Sequence, residues 1–124
     1  MGYRCKQRVT LIEGMNIELY VKACNISELG NSDLSRLEID GNPIMITRVG
    51  DKIYTTDVWC THEQADLSLG IIRGCTVMCP LHQAQFDITD GRVIRGPNGG
   101  DPGSIPPLKT YKNKLQADEL WIDI

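Results

Sequence analysis

Two short stretches, WCTHEQ (59–64) and MCPLHQAQF (78–86), hold both histidines and two of the five cysteines of this 124-residue chain. Cys60 and His62 are spaced C-x-H, and Cys79 and His82 are spaced C-x-x-H. Each stretch therefore offers one thiolate and one imidazole, which together predict a metal centre. The spacing alone leaves two kinds of centre open: a single zinc ion, or two irons bridged by sulfides.

The order of the ligands favours the two-iron centre. Zinc modules usually place two cysteines close together and two histidines close together, whereas each loop here contributes one of each. A mixed pair on each loop suits a dinuclear cluster that is approached from two sides.

The wider pattern resembles one family. The motifs CTH and CPLHxAxFD, the glycine-rich turn after them, the Pro-rich loop and a last hairpin ending in WIDI are similar to those of Rieske-type ferredoxins, over about residues 18–124. The resemblance implies an all-β fold, an antiparallel β-sandwich of short strands with a small cluster-binding subdomain at about 59–90. The Pro-rich loop, 96–107, would cover the cluster, and residues 1–17 are expected to be an extension of uncertain order.

The resemblance also implies a cofactor and its ligands. We expect one [2Fe-2S] cluster per chain, with Cys60 and Cys79 on the inner iron and His62 and His82 on the outer iron. Neutral imidazoles leave the oxidised cluster less negative than four thiolates would, which raises the potential into a window of about −150 to +300 mV.

Four other positions indicate which kind of Rieske protein this is. The cytochrome bc-type proteins join their two loops by a disulfide, and the matching positions here are Ala65 and Leu81. Those proteins also place serine and tyrosine donors near the cluster, where this chain has Ala84 and Phe86. The missing donors predict a midpoint near the low end of the window, about −150 to 0 mV.

One position departs from the oxygenase-serving class that the chain otherwise resembles. That class commonly has glycine after the second histidine, and here the residue is Gln83. Its side chain is expected to point outward or to change the turn. With Glu63, Gln64 and Leu81, it is expected to rim the exposed imidazoles.

The remaining sequence fits one small all-β domain. Turn signals such as DGNP (40–43), GDK (50–52), DGR (90–92) and QADE (116–119) separate short runs rich in β-branched residues. These runs predict strands at 18–23, 34–40, 43–49, 52–58, 75–79, 85–88, 108–114 and 119–123, with a helical turn at NISELG (25–30). Cys5, Cys24 and Cys75 are expected to be unpaired thiols, and Trp59 and Trp121 to be core aromatics.

Charge and hydropathy exclude two classes of partner. The net charge of −3 gives no basic surface for nucleic acid, and no apolar run approaches the about 20 residues of a membrane span. We therefore expect a cytoplasmic protein that binds neither nucleic acid nor membrane.

The predicted function is one-electron transfer without catalysis. A flavin- or NAD(P)H-linked reductase would donate the electron, and an oxygenase or another redox protein would accept it. The alternatives are a Rieske subunit of a larger oxidoreductase complex and a zinc-stabilised binding module.

Overall fold

The structure, a computed structural model, describes residues 20–29 and 33–124. Within these ranges the chain forms strands and short 3-10 turns, with no α-helix, so the all-β prediction is confirmed. The strands are β1 Val21–Asn25, β2 Leu34–Ile39, β3 Asn42–Val49, β4 Lys52–Asp57, β5 Ile71–Arg73, β6 Thr76–Met78, β7 Gln85–Asp87, β8 Val93–Arg95, β9 Thr110–Tyr111, β10 Asn113–Gln116 and β11 Glu119–Ile122. The 3-10 turns are Ile26–Leu29, Leu67–Leu69, Pro97–Gly99 and Pro102–Ser104.

The strands form three antiparallel sheets. Their orders are β1-β11-β10, β2-β3-β4-β9 and β5-β6-β7-β8. The third sheet runs from Ile71 in β5 to Arg95 in β8, and the cluster-binding subdomain at about 59–90 stays a prediction.

The centre of β3 is buried on both faces, which explains its continuous apolar run, Ile44–Ile46. Ile44 and Ile46 pack into one core with residues of β1 and β11, whereas Met45, between them, packs into the core that contains β6 and β7. Successive side chains of a strand point to opposite faces, so the part of a strand that lies between two cores is apolar at successive positions. The middle sheet therefore holds the third sheet against the rest of the molecule.

A glycine fixes the contact between the third sheet and the strand that follows it. Gly91, in the DGR turn, has a φ of +80°, and a Cβ there would lie 1.9 Å from the carbonyl oxygen of Leu108. The same approach allows the Leu108 N–H to donate to the Gly91 carbonyl at 2.8 Å. Only glycine satisfies both requirements.

Several sequence expectations need correction. Strands β5 and β8 were missed, the run 108–114 is divided between β9 and β10, and the helical turn is a single 3-10 turn. Cys75 is disulfide-bonded, so the expectation of a free thiol is wrong, while Cys24 is free as expected. Trp59 is 39% exposed and is not a core residue. The expectations for residues 1–17, including Cys5, lie outside the described residues.

No helix in the described ranges is long and apolar enough to cross a membrane.

Candidate metal centre

The two Cys/His loops are built alike. In the first, the Cys60 N–H donates to the Ala65 carbonyl at 2.9 Å, and in the second, the Cys79 N–H donates to the Ala84 carbonyl at 2.8 Å. Each bond closes a tight loop with the cysteine at its base. The histidine of each loop therefore lies at the tip.

This construction separates sulfur from nitrogen. Cys60 and Cys79 are 5% and 1% exposed, and both thiols are free. The side chains of His62 and His82 are 38% and 44% exposed, and their ring centroids lie 5.3 Å apart at an angle of 73°. The predicted site residues thus form a buried pair of thiols and an exposed pair of imidazoles.

Different neighbours of the Cys60 thiol shift its pKa in opposite directions. Burial, the largest influence, raises the pKa of the Cys60 thiol, and the neighbouring Cys79 raises it further. The backbone N–H groups of His62 and Glu63 donate to the Cys60 sulfur and act to lower the pKa. Such donors stabilise the thiolate form that a metal requires.

Glu63 lies deeper in the site than the rim position expected from the sequence. Its Oε1 contacts Nδ1 of His82 and lies 3.6 Å from Nε2 of His62, and its side chain is only 29% exposed. These three side chains could by geometry hold one metal ion. The other expected rim residues, Gln64, Leu81 and Gln83, are exposed.

The structure shows where the residues that differ from those of other Rieske proteins lie. Ala84 and Phe86 are fully buried. Because neither side chain carries a hydroxyl group, neither can donate a hydrogen bond on the buried side of the site. Gln83 adopts a φ of +59°, in the left-handed region, and its side chain is exposed. Of the two expected outcomes for Gln83, the structure has the outward-pointing side chain.

The Pro-rich loop is hydrogen-bonded to both Cys/His loops. The Asn98 N–H donates to the His82 carbonyl at 2.7 Å, and the Thr61 hydroxyl donates to the Pro106 carbonyl at 2.6 Å. The loop therefore joins two segments that no disulfide connects.

A brace that the sequence did not predict joins the first Cys/His loop to β2. Arg36 donates to the Asp66 carboxylate at 2.8 Å, and its guanidinium lies 5.0 Å from the centroid of the Trp59 ring. Asp66 also accepts from the Ser68 N–H at 2.8 Å, which caps the 3-10 turn at Leu67–Leu69. Arg36 and Asp66 are 30 residues apart, so no local pattern could have revealed the contact.

The sequence matches a known protein family over most of its length. The sequence model of the family described as the Rieske [2Fe-2S] domain matches residues 19–112. The ferredoxin component of the naphthalene 1,2-dioxygenase system of Pseudomonas aeruginosa is 31% identical over 107 residues, which cover 86% of this chain and 97% of that protein.

Solved structures show the same fold. A ferredoxin in complex with the oxygenase of carbazole 1,9a-dioxygenase has a TM-score of 0.70 at 26% identity, covering 85% of this chain and 93% of that one. The carbazole 1,9a-dioxygenase ferredoxin of Nocardioides aromaticivorans has a TM-score of 0.71 at 23% identity, covering 83% of this chain and 95% of that one.

Proposed function

The chain belongs to the Rieske [2Fe-2S] domain family, and we propose that Cys60, Cys79, His62 and His82 hold its cluster. The family match gives a Rieske [2Fe-2S] cluster as the cofactor and does not favour the zinc-module alternative. The donor set fits such a cluster because two free, buried thiols lie on one side and two exposed imidazoles lie on the other.

The chain is a ferredoxin, an electron carrier and not itself an enzyme, that takes electrons from a reductase to the oxygenase of a dioxygenase system. When bound, the cluster supplies a one-electron couple. The chain's own residues determine where the electron enters and leaves and how far the cluster is shielded from water. Cys60 and Cys79 keep the sulfur side away from water, and the exposed edges of His62 and His82 give a partner access.

The observation that supports this proposal best is that the two thiols are buried and the two imidazoles are exposed. It favours a carrier that exchanges electrons through brief contacts at the imidazole side. We expect the donor to be a flavin- or NAD(P)H-linked reductase, and the cytoplasmic location remains a prediction. The alternative of a subunit in a larger complex is less favoured, because the match covers 97% of a relative named as the ferredoxin component of a dioxygenase system.

Single substitutions of the proposed ligands test the assignment. We expect Cys60→Ser, Cys79→Ser, His62→Ala and His82→Ala each to lose most of the visible absorption and the acid-labile sulfide of the purified protein. Cys24→Ser is the matched control, because Cys24 is also a free, buried thiol but lies in the other core. It should retain both signals.

Glu63→Gln separates the cluster from a lone metal ion. Glu63 is one of the three side chains that could hold a single ion, but it is not a proposed cluster ligand. We expect this variant to keep two irons and two sulfides per chain. Loss of the metal in Glu63→Gln, with retention in Cys60→Ser, would contradict the assignment.

A further inference from the structure

The residue after His82 has a backbone conformation that is unfavourable for its own side chain. Gln83 lies in the left-handed region, where Cβ approaches the following carbonyl too closely in residues other than glycine. The other described non-glycine residues with positive φ are Asp40 and Asn98, whose short polar side chains tolerate this region, and Ala117, which carries only a methyl group. Gln83 is therefore the one long side chain in this conformation within the described ranges.

The Cys/His loop imposes this conformation. The Gln83 N–H donates to the Cys79 carbonyl at 3.1 Å, and the next residue, Ala84, is fully buried and accepts from the Cys79 N–H. Gln83 cannot move to a more favourable φ unless Cys79 or His82 also moves. Glycine would satisfy the same geometry without the unfavourable contact.

No side-chain interaction among the described residues offsets the unfavourable conformation. The Gln83 side chain is exposed, and its amide has no hydrogen-bond partner in the part of the chain that the structure describes. Gln83 directly follows His82 in the chain, and Leu81, on the other side of His82, is 56% exposed. Unfavourable backbone conformations that bring no internal contact are concentrated at functional sites.

We propose that Gln83 is a recognition residue for the oxygenase, which its side-chain amide contacts through a hydrogen bond beside His82. This inference rests on the proposed function, because it assumes that the imidazole side is where partners approach. The oxygenase is favoured over the reductase because the carbazole 1,9a-dioxygenase relative has been solved in complex with its oxygenase. A neutral amide predicts recognition by a polar group, with little dependence on salt.

The test compares Gln83→Gly with the wild-type protein, both carrying the cluster. The acceptor is the purified oxygenase component of a naphthalene 1,2-dioxygenase system. Loss of one hydrogen bond should raise the KM for the ferredoxin about fivefold and leave kcat unchanged. Because the backbone strain is relieved, Tm should stay the same or rise by up to about 4 °C. The EPR spectrum and the midpoint potential should not change.

Ala117→Gly is the matched control. Ala117 has a similar φ of +55° but lies in the β10–β11 hairpin, within the sheet that does not carry the ligands. It should gain Tm in the same way without any change in KM.

Three results would overturn the inference: a KM for Gln83→Gly within twofold of wild type, a fall in Tm together with a changed EPR spectrum, or an equal loss of reduction rate with the reductase. The proposed function fails separately. It fails if the wild-type protein holds no cluster, or holds one but passes no electron to the oxygenase.

Discussion

At the scale of single residues, the surroundings of the two buried thiols determine how readily the centre accepts an electron. Backbone N–H groups of His62 and Glu63 reach the Cys60 sulfur, but the buried positions Ala84 and Phe86 add no hydroxyl. Donors to sulfur stabilise the more negative reduced state, so a centre with few of them should have a low potential. We expect a midpoint between about −150 and 0 mV.

Ala84→Ser tests this effect by adding one hydroxyl. A hydrogen bond to a charged acceptor contributes about 1.5–3 kcal/mol, of which the part that distinguishes the two redox states should raise the midpoint by roughly 50–100 mV. A redox titration followed by visible absorption measures it. Ala23→Ser, the same change in the other core, should leave the midpoint unaltered. An unchanged midpoint in Ala84→Ser would show that the backbone donors already suffice.

At the scale of the elements, the Pro-rich loop holds the two Cys/His loops together. Thr61→Val keeps the shape of the side chain but removes the hydrogen bond to Pro106. We expect a loss of about 1 kcal/mol, observed as a Tm lower by roughly 3–6 °C and faster bleaching of the visible absorption. Thr61→Ser retains the hydroxyl and should behave like wild type. Equal bleaching rates in Thr61→Val and wild type would contradict this role of the loop.

The brace between β2 and the first Cys/His loop should depend on pH. Partial burial raises the pKa of Asp66, but hydrogen bonds from Ser68 and Arg36 outweigh it and hold the pKa below its ordinary value. A carboxyl group with a depressed pKa in the folded state stabilises the protein above its unfolded pKa of about 3.9, and this contribution is lost as pH falls through the folded pKa. Asp66→Asn should therefore be less stable than wild type at pH 7, and the difference should shrink below about pH 4.

Denaturant midpoints measured between pH 7 and pH 3.5 test this prediction. Asp101→Asn is the control, because Asp101 also caps a 3-10 turn but has no arginine partner among the described residues. Its difference from wild type at pH 7 measures what a cap of this kind contributes without a guanidinium partner. A constant difference for Asp66→Asn would mean that the brace does not contribute.

The elements that the sequence predicted well are those with local signals. The hairpin between β2 and β3 turns at Asp40-Gly41, and both residues have a positive φ. An Asp-Gly pair between two apolar runs is the strongest short-range signal for a hairpin. Strands β5 and β8 have three residues each, too few to show alternation, and unlike the equally short β6 and β7 they do not adjoin the CPLH motif that marks the second Cys/His loop. The guanidinium of Arg36 lies over the ring of Trp59, a contact between distant segments, so the exposure of Trp59 could not be expected from local sequence.

At the scale of the whole molecule, the site depends on three sheets that serve different purposes. The middle sheet joins the two cores, the third sheet carries the second Cys/His loop between β6 and β7, and the Arg36 brace fixes the first loop to β2. The proposed ligands follow from spacing and family resemblance, because the chemistry of a cluster restricts them to cysteine and histidine, and their assignment stays a prediction. The supports around them could not be predicted, because they involve residues that are distant in the sequence.

The central claim is that two thiolates and two imidazoles of this chain share one two-iron cluster. The chain contains only two histidines, so labelling with ¹⁵N-histidine places the label at His62 and His82 alone. Pulsed EPR of the dithionite-reduced protein should then show two ¹⁵N couplings to the cluster, and His62→Ala or His82→Ala should abolish the cluster signal. A reduced protein with no ¹⁵N coupling, or a colourless protein with a single zinc ion per chain, would contradict the account.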